Sequence, residues 1–370
     1  MPKEKTTVKS VSKKVKDTPS LGGPFASSFE LTKERRAQLT KLYRAMRLTR
    51  DTDDRMRKLF RAGRYYGTYF SQIGQECTTV VPAFLSKKDD FIGPSHRELG
   101  CLVGKGVPIK HMFAQVYTRS TSQDRGVMHP VFWGWTDARQ ITPCTCLATQ
   151  APLAAGAALS YKMRGLKNVA FCFTGEGAAS KGDFHETLNF AGVHKLPLIY
   201  VVQNNWYAES VPLSIQSGNP DIESRAAGYG IAGVRVHDGN DAIWMLRVFE
   251  EAIERALSGG GTTLVVADTY RWFGHSEIDP ATYRPEEEVK RWMALDPLPR
   301  FERYLIENGV MTEAAISKVR SEVIKEIEDA VDYAEKSPEA PAEICLENVY
   351  APDDFVNPLA EYTHVVAKGI

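Results

Sequence analysis

The sequence predicts an α/β fold, a twisted parallel sheet with helices on both faces and helical extensions at its N- and C-terminal ends. Three observations predict it. From residue 141 onward, short apolar runs alternate with stretches of helical patterning. Those runs are continuously apolar, as strands buried on both faces must be. Two of them end in small, acidic or amide residues, Gly175-Glu176-Gly177 and Asn204-Asn205, where a sheet of this kind presents its ligand-binding edge.

The elements follow in chain order. Residues 1–30 open with MPKEKTTVKSVSKKVKDTPS, where six lysines (3, 5, 9, 13, 14 and 16) stand against Glu4 and Asp17. The run lacks the apolar core of a secretory signal and the arginines of a transit peptide, and it reads as a disordered arm. Residues 32–62 are rich in helix formers, stop at Gly63 and place Leu39, Leu42, Tyr43, Met46, Met56 and Leu59 in one stripe. Residues 63–140 read as short helices and loops, with VFWGWTD (131–137) an aromatic loop held by packing. An alanine-rich helix is expected over 151–164. Strands are expected over 169–174, 198–203, 231–236 and 264–267. Helices over 178–194, with Phe184, Leu188 and Ala191 on one face, and over 242–257 join them. A last helix runs from 312 to about 335, with Ile316, Val319, Val323, Ile327 and Val331 at helical spacing. No internal repeat is present. The expected organisation is the arm, one α/β domain over 31–350 and a tail over 351–370.

Composition narrows the function. Of 370 residues, 43% are hydrophobic and 25% charged, an ordinary soluble balance. The 46 basic and 46 acidic residues cancel, which argues against a nucleic-acid binder. No stretch approaches the roughly 18 consecutive apolar residues of a membrane span. Cys77, Cys101, Cys144, Cys146, Cys172 and Cys345 form no CxxC pair and no zinc-ligand spacing, so reduced thiols in a cytoplasmic protein are expected.

The segment FCFTGEGAASKGDFHETLNFAGVHKLPLIYVVQNNWYAES (171–210) carries the chemistry. A dinucleotide site would need a third small residue at position 180, which is Ser, and an acidic residue ending the next strand, where Asn204 and Asn205 stand. A diphosphate and metal site explains more. Gly175 and Gly177 allow close backbone approach, and a helix opening at Ala178 would aim free N–H groups at an anion. Glu176, the amide oxygen of Asn205 and the carbonyl of Tyr207 are hard oxygen ligands suited to octahedral magnesium.

This arrangement resembles the thiamine diphosphate motif, and the chain from about residue 35 to 350 resembles the alpha subunit of the thiamine-dependent 2-oxoacid dehydrogenases. GEGAASKGDFHETLNFA, GYGI (228–231) and DGND (238–241) look most similar to the branched-chain branch, with the pyruvate branch next. The resemblance implies thiamine diphosphate and magnesium as cofactors, with Glu176, Asn205 and Tyr207 on the metal. Around the cofactor it places Gly175, Gly177, Ala178 and Gln203. Arg97 in GPSHRELG matches the arginine on the diphosphate, a task suited to a guanidinium, with His96 beside it where the family usually has Tyr. Leu147 in CTCLATQ matches a leucine that holds the aminopyrimidine ring, and Thr145 in the same run is a further cofactor-binding position. Thr149 and Gln150 match residues that hold a potassium ion in some members, but Cys144 and Cys146 replace the preceding serine and proline. His275 in YRWFGHSEIDP matches a histidine that acts in cofactor binding and proton or acyl transfer; Phe273 and Gly274 stand where a second is common. Residues 276–288 match a flexible loop over the cofactor. Ser95, His96 and the loop with His129 would lie on the substrate side, whereas His111, His185, His194, His237 and His364 have surface or packing positions.

The implied function is decarboxylation of a small 2-oxoacid, branched-chain or pyruvate, with acyl transfer to a lipoyl arm. Implied partners are a beta subunit, in a complex of two alpha and two beta chains, and a lipoylated dihydrolipoyl acyltransferase core. Residues 1–140 show no second alternating α/β unit, so one chain supplies half of such a site. Acyloin (acetoin) cleavage and a non-catalytic scaffold are the alternatives.

Overall fold

A computed structural model describes residues 29–347 and 349; the lysine-rich run, the tail from 351 and His364 lie outside the described residues. The first part of the chain forms α1 (Lys33–Arg61), α2 (Glu76–Leu85), β1 (Phe91–Gly93), α3 (Leu99–Gly104), α4 (Ile109–Val116) and α5 (Gln150–Met163). Then come β2 (Ala170–Gly175), α6 (Gly182–Val193), β3 (Leu198–Asn204), the two-residue strands β4 (Tyr207–Ala208) and β5 (Val211–Pro212), and α7 (Leu213–Gln216). The remainder forms β6 (Ala232–Val236), α8 (Ala242–Leu257), β7 (Thr263–Asp268), α9 (Glu286–Met293), α10 (Pro297–Glu307) and α11 (Glu313–Lys336).

Five strands pair in the order β1-β2-β3-β7-β6, all parallel, while β4 and β5 form a small antiparallel hairpin. Every residue of β3 and β7 is buried, and alternation sends their side chains to two different cores. Phe171, Phe173, Ile199, Val201 and Val265 meet α1, α2, α8 and α11 on one face. Cys172, Leu198, Tyr200, Val202 and Leu264 meet α5 and α6 on the other, where Phe184, Leu188 and Ala191 are fully buried as the sequence predicts. The predicted stripes of α1 and α11 are likewise buried, and both helices are capped by threonine hydroxyls, Thr32 and Thr312.

The sheet order positions the site. The chain steps inward from β1 through β2 to β3, crosses to the edge strand β6 and returns to β7 beside β3. Its direction across the sheet is therefore opposite on the two sides of the β3–β7 pair, and the crevice beyond the carboxyl ends of β2, β3 and β7 is the switch point at which such sheets bind ligands.

One expected boundary is wrong in an instructive way. Residues 176–180 form a tight 3-10 turn, Lys181 is extended (φ −83, ψ 150), and α6 begins only at Gly182. The turn packs against β4 so closely that a Cβ on Gly177 would lie 2.6 Å from that of Ala208. A full α-helical turn starting at Ala178 is thereby replaced, and any free N–H groups near Glu176 belong to the tight turn.

Candidate active site

Glu176, directly after β2, and Asn205, directly after β3, meet at the crevice: the Asn205 N–H donates to Glu176 Oε2 at 3.1 Å. The carboxylate is almost wholly buried, yet its Oε1 has no hydrogen-bond partner. Burial pushes its pKa up to about 7, against the opposing pull of nearby N–H groups and of Arg271 and Arg97. A buried carboxylate oxygen without a donor is costly unless something positive binds it. That oxygen, with the amide oxygen of Asn205, which accepts from the Tyr207 N–H at 3.4 Å, is a donor set that fits a hard divalent cation. The carbonyl of Tyr207 lies 3.4 Å from an Arg271 Nη1 donor. Trp206, between Asn205 and Tyr207, has φ +73, the left-handed region that favours glycine; its ring lies 6.3 Å from that of Trp292.

The two adjacent asparagines have different work. Asn204 is fully buried and donates to Asp268 Oδ1 at 2.8 Å, tying the end of β3 to the end of β7. Gln203, also buried, donates to Thr78 Oγ1 of α2 at 2.6 Å, which turns its amide N–H toward the helix. Gly175 leaves ordinary space, since a Cβ there would lie 3.8 Å from the Asn205 amide; Ala178 is buried in the turn.

A second group of residues faces the same edge from the segments after β1 and β7. Arg97 is buried and donates to the carbonyls of Ser71 and His275, each at 2.6 Å. Arg271, 1% exposed, donates to the Glu209 carbonyl at 2.6 Å and to the Tyr283 hydroxyl at 2.7 Å. Neither guanidinium makes an ion pair with a carboxylate among the described residues. Burial first, and then a neighbouring cation, Arg271 for Arg97 and Arg284 for Arg271, press both pKa values downward, a penalty that a bound anion would relieve. The rings of His96 and His275 lie 5.5 Å apart, with Phe70 edge-on to both. Burial, followed by Arg97 and Arg271, lowers the His275 pKa to about 4, and burial lowers His96 well below its ordinary value. Both imidazoles are therefore neutral at pH 7 and able to give or take a proton at a ring nitrogen.

The loop after β7 is tied down at several points. Asp279 accepts from the His275 N–H, the Ala281 N–H and the Tyr283 hydroxyl. Glu277 pairs with Arg57 at 2.5 Å and Arg61 at 3.0 Å, both on α1. Arg284 donates to the carbonyls of Arg271, Trp272 and Phe273. Arg271, Asp279, Tyr283 and Arg284 are not flagged by sequence reasoning, although the repeated Tyr-Arg pairs at 270–271 and 283–284 are a usable signal.

Other candidates separate. Thr145 is exposed and Leu147 half-buried on the loop before α5, which is anchored where Gln150 donates to the Phe173 carbonyl at 2.6 Å. His129 packs on Phe132, with ring centroids 4.5 Å apart. A cavity of about 520 Å³ opens by the aromatic loop, bordered by Phe91, Asp124, Met128 and Trp135; Glu176, Asn205, Arg97 and His275 do not line it. Cys77, Cys101 and Cys172 are buried, while Cys144, Cys146 and Cys345 are exposed, and all six are free thiols. Among the described residues no helix is long and apolar enough to cross a membrane.

Residues 43–343 match the family described as "Dehydrogenase E1 component". The chain belongs to that family. Similar proteins include the 2-oxoisovalerate dehydrogenase subunit alpha of Bacillus subtilis (strain 168), 37% identical over 84% of this chain and 94% of the relative. The pyruvate dehydrogenase E1 component subunit alpha of the same organism is 38% identical, covering 81% of this chain and 79% of that protein. The 3-methyl-2-oxobutanoate dehydrogenase subunit alpha of Mycobacterium tuberculosis (strain ATCC 25618 / H37Rv) is 37% identical over 79% of each. E1 relatives with branched-chain and with pyruvate names are thus about equally similar, and the expected leaning toward one branch is not resolved by identity.

Proposed function

We propose that this chain is the alpha subunit of a 2-oxoacid dehydrogenase that holds thiamine diphosphate and magnesium and decarboxylates a 2-oxoacid. The observation that carries the reading is the unpartnered, buried Glu176 carboxylate oxygen beside Asn205 at the switch point, near two buried arginines that have no carboxylate partner among the described residues. On this reading Glu176, Asn205 and the Tyr207 carbonyl hold the metal. Arg97 takes the diphosphate with Arg271 behind it, and Gly175, Gly177 and Ala178 give the ligand backbone access. His96 lies beside the diphosphate, and Thr145 and Leu147 border the aminopyrimidine. Gln203 acts from behind β3 through its bond to α2. Bound thiamine diphosphate supplies an electron sink for the decarboxylation. His275, kept neutral by burial and two cations, holds or moves a proton at a ring nitrogen during acyl transfer to a lipoyl arm.

The same reading makes residues 31–350 one thiamine diphosphate-binding domain and assigns the rest of the site to a beta subunit, in an assembly of two alpha and two beta chains on a lipoylated acyltransferase core. Branched-chain 2-oxoacids and pyruvate are the substrate class, given the names of the similar proteins. Native mass spectrometry of the chain purified from its own cells, with thiamine diphosphate and magnesium present, tests it. Two copies with two of a second chain and two cofactors are the expected result; a cofactor-free homodimer would overturn it. Glu176→Ala and Asn205→Ala should each weaken magnesium-dependent cofactor binding by about 10–100-fold or more. Retained affinity in both would remove the site assignment.

A further inference from the structure

Cys144 and Cys146 flank Thr145 on the loop before α5, and both thiols are exposed. The loop folds back on itself. The Cys146 N–H lies 3.4 Å from Cys144 Sγ, and the Thr149 hydroxyl donates to the Cys146 carbonyl at 2.8 Å. Ala148, φ +70, turns the chain so that the Thr149 N–H also reaches the Cys146 carbonyl, at 3.3 Å. Cys144 Sγ thus sits against the Cys146 N–H, and hydrogen bonding within the turn, led by that N–H, holds its pKa below the usual thiol range. Cys345, the third exposed thiol, lies far along the chain in the turn Ala342–Leu346.

We propose that Cys144 and Cys146 form a thiol-exchange site whose substrates are low-molecular-weight disulfides. The hydrogen bonds fix the order. The Cys144 thiolate attacks one sulfur of RSSR, the S–S bond breaks, and RS⁻ leaves and takes a proton from water. Cys146, having given its proton to solvent, then attacks Cys144 Sγ and expels the second RS⁻. The cysteine pair loses two electrons and two protons, and RSSR becomes two RSH. Two residues apart, the α-carbons cannot be separated by more than about 7 Å, which is the outer limit for a disulfide, and the fold-back already places Cys144 Sγ against the backbone N–H of Cys146. The resulting bridge closes the loop immediately before Leu147. This chemistry does not rest on the cofactor reading, and its test involves no cofactor.

The full-length reduced chain is incubated with glutathione disulfide at neutral pH, quenched with acid and mapped by peptide mass. In the wild type, the peptide carrying residues 144 and 146 should lose two hydrogens. Cys146→Ser should stop at a mixed disulfide on Cys144, formed at least about threefold faster than on Cys345. In Cys144→Ser, Cys146 should react no faster than Cys345. Equal rates at Cys144 and Cys345, or a wild-type mixed disulfide that accumulates without closing, would overturn the proposal.

Discussion

Replacing Glu176 with glutamine should stabilise the cofactor-free protein, and by an amount that depends on pH in a specific way. The folded-state pKa of Glu176 is about 7, against 4.5 for an unperturbed glutamate. An acid whose folded pKa is raised is fully accommodated below about 4.5, where it is neutral in both states. Its contribution is lost as pH rises between those two values, because the folded protein must bury a charge that the unfolded chain keeps in water. The shift converts to about 3 kcal/mol once pH exceeds both pKa values. Glutamine has the same shape and can still accept from the Asn205 N–H, but it never ionises. Urea unfolding of both chains in the presence of chelator should therefore show a small advantage for Glu176→Gln at pH 5. That advantage should grow to about 3 kcal/mol at pH 8. Asp53, whose pKa burial also raises to about 7, gives the same trend in both proteins and cancels in the difference. Adding magnesium with inorganic diphosphate should close the gap by stabilising only the wild type. Parallel stability curves across the pH range would refute the argument that Glu176 is a carboxylate held ready for a cation.

Three further outcomes follow from particular contacts. The His275 imidazole should titrate near pH 4 by NMR and stay neutral through the physiological range; a midpoint between 6 and 7 would show that neither burial nor Arg97 and Arg271 press on it. Gly177→Ala should destabilise by about 1–3 kcal/mol because its Cβ meets that of Ala208, whereas Gly175→Ala, with its nearest neighbour at 3.8 Å, should cost less in the same denaturation assay. Asn204→Ala should lower stability by about 1–3 kcal/mol through loss of the buried bond to Asp268. Its magnesium-dependent ligand binding should fall less than that of Asn205→Ala, and the reverse ranking would mean that the two asparagines have exchanged roles.

Much of the framework was legible because strands buried on both faces and long amphipathic helices write their period directly into the chain. The strands at β2, β3, β6 and β7 and the helices α1, α5, α8 and α11 lie within a residue or two of expectation. What failed was short or locally contradictory. β1 is only the three residues Phe91–Gly93, too short for a periodic signal, and α2 carries Pro82 inside it, which argues against a helix by propensity alone. α9 and α10 lie in a charged stretch whose packing against the rest could not be inferred.

The sequence by itself determined the fold class, the two polar strand ends and the family resemblance, because each depends on residues close together in the chain. Only the tertiary structure decided which residues share the crevice. Glu176 and Asn205 touch because β2 and β3 are neighbours in register. Asn204 is committed to structure because β7 lies on its other side. Arg97 and His275 are 178 positions apart and meet through a backbone carbonyl. The raised pKa of Glu176 and the lowered pKa of His275 exist because folding removes water from around both groups; the two guanidiniums that folding sets nearby add to the shift of His275 and oppose that of Glu176.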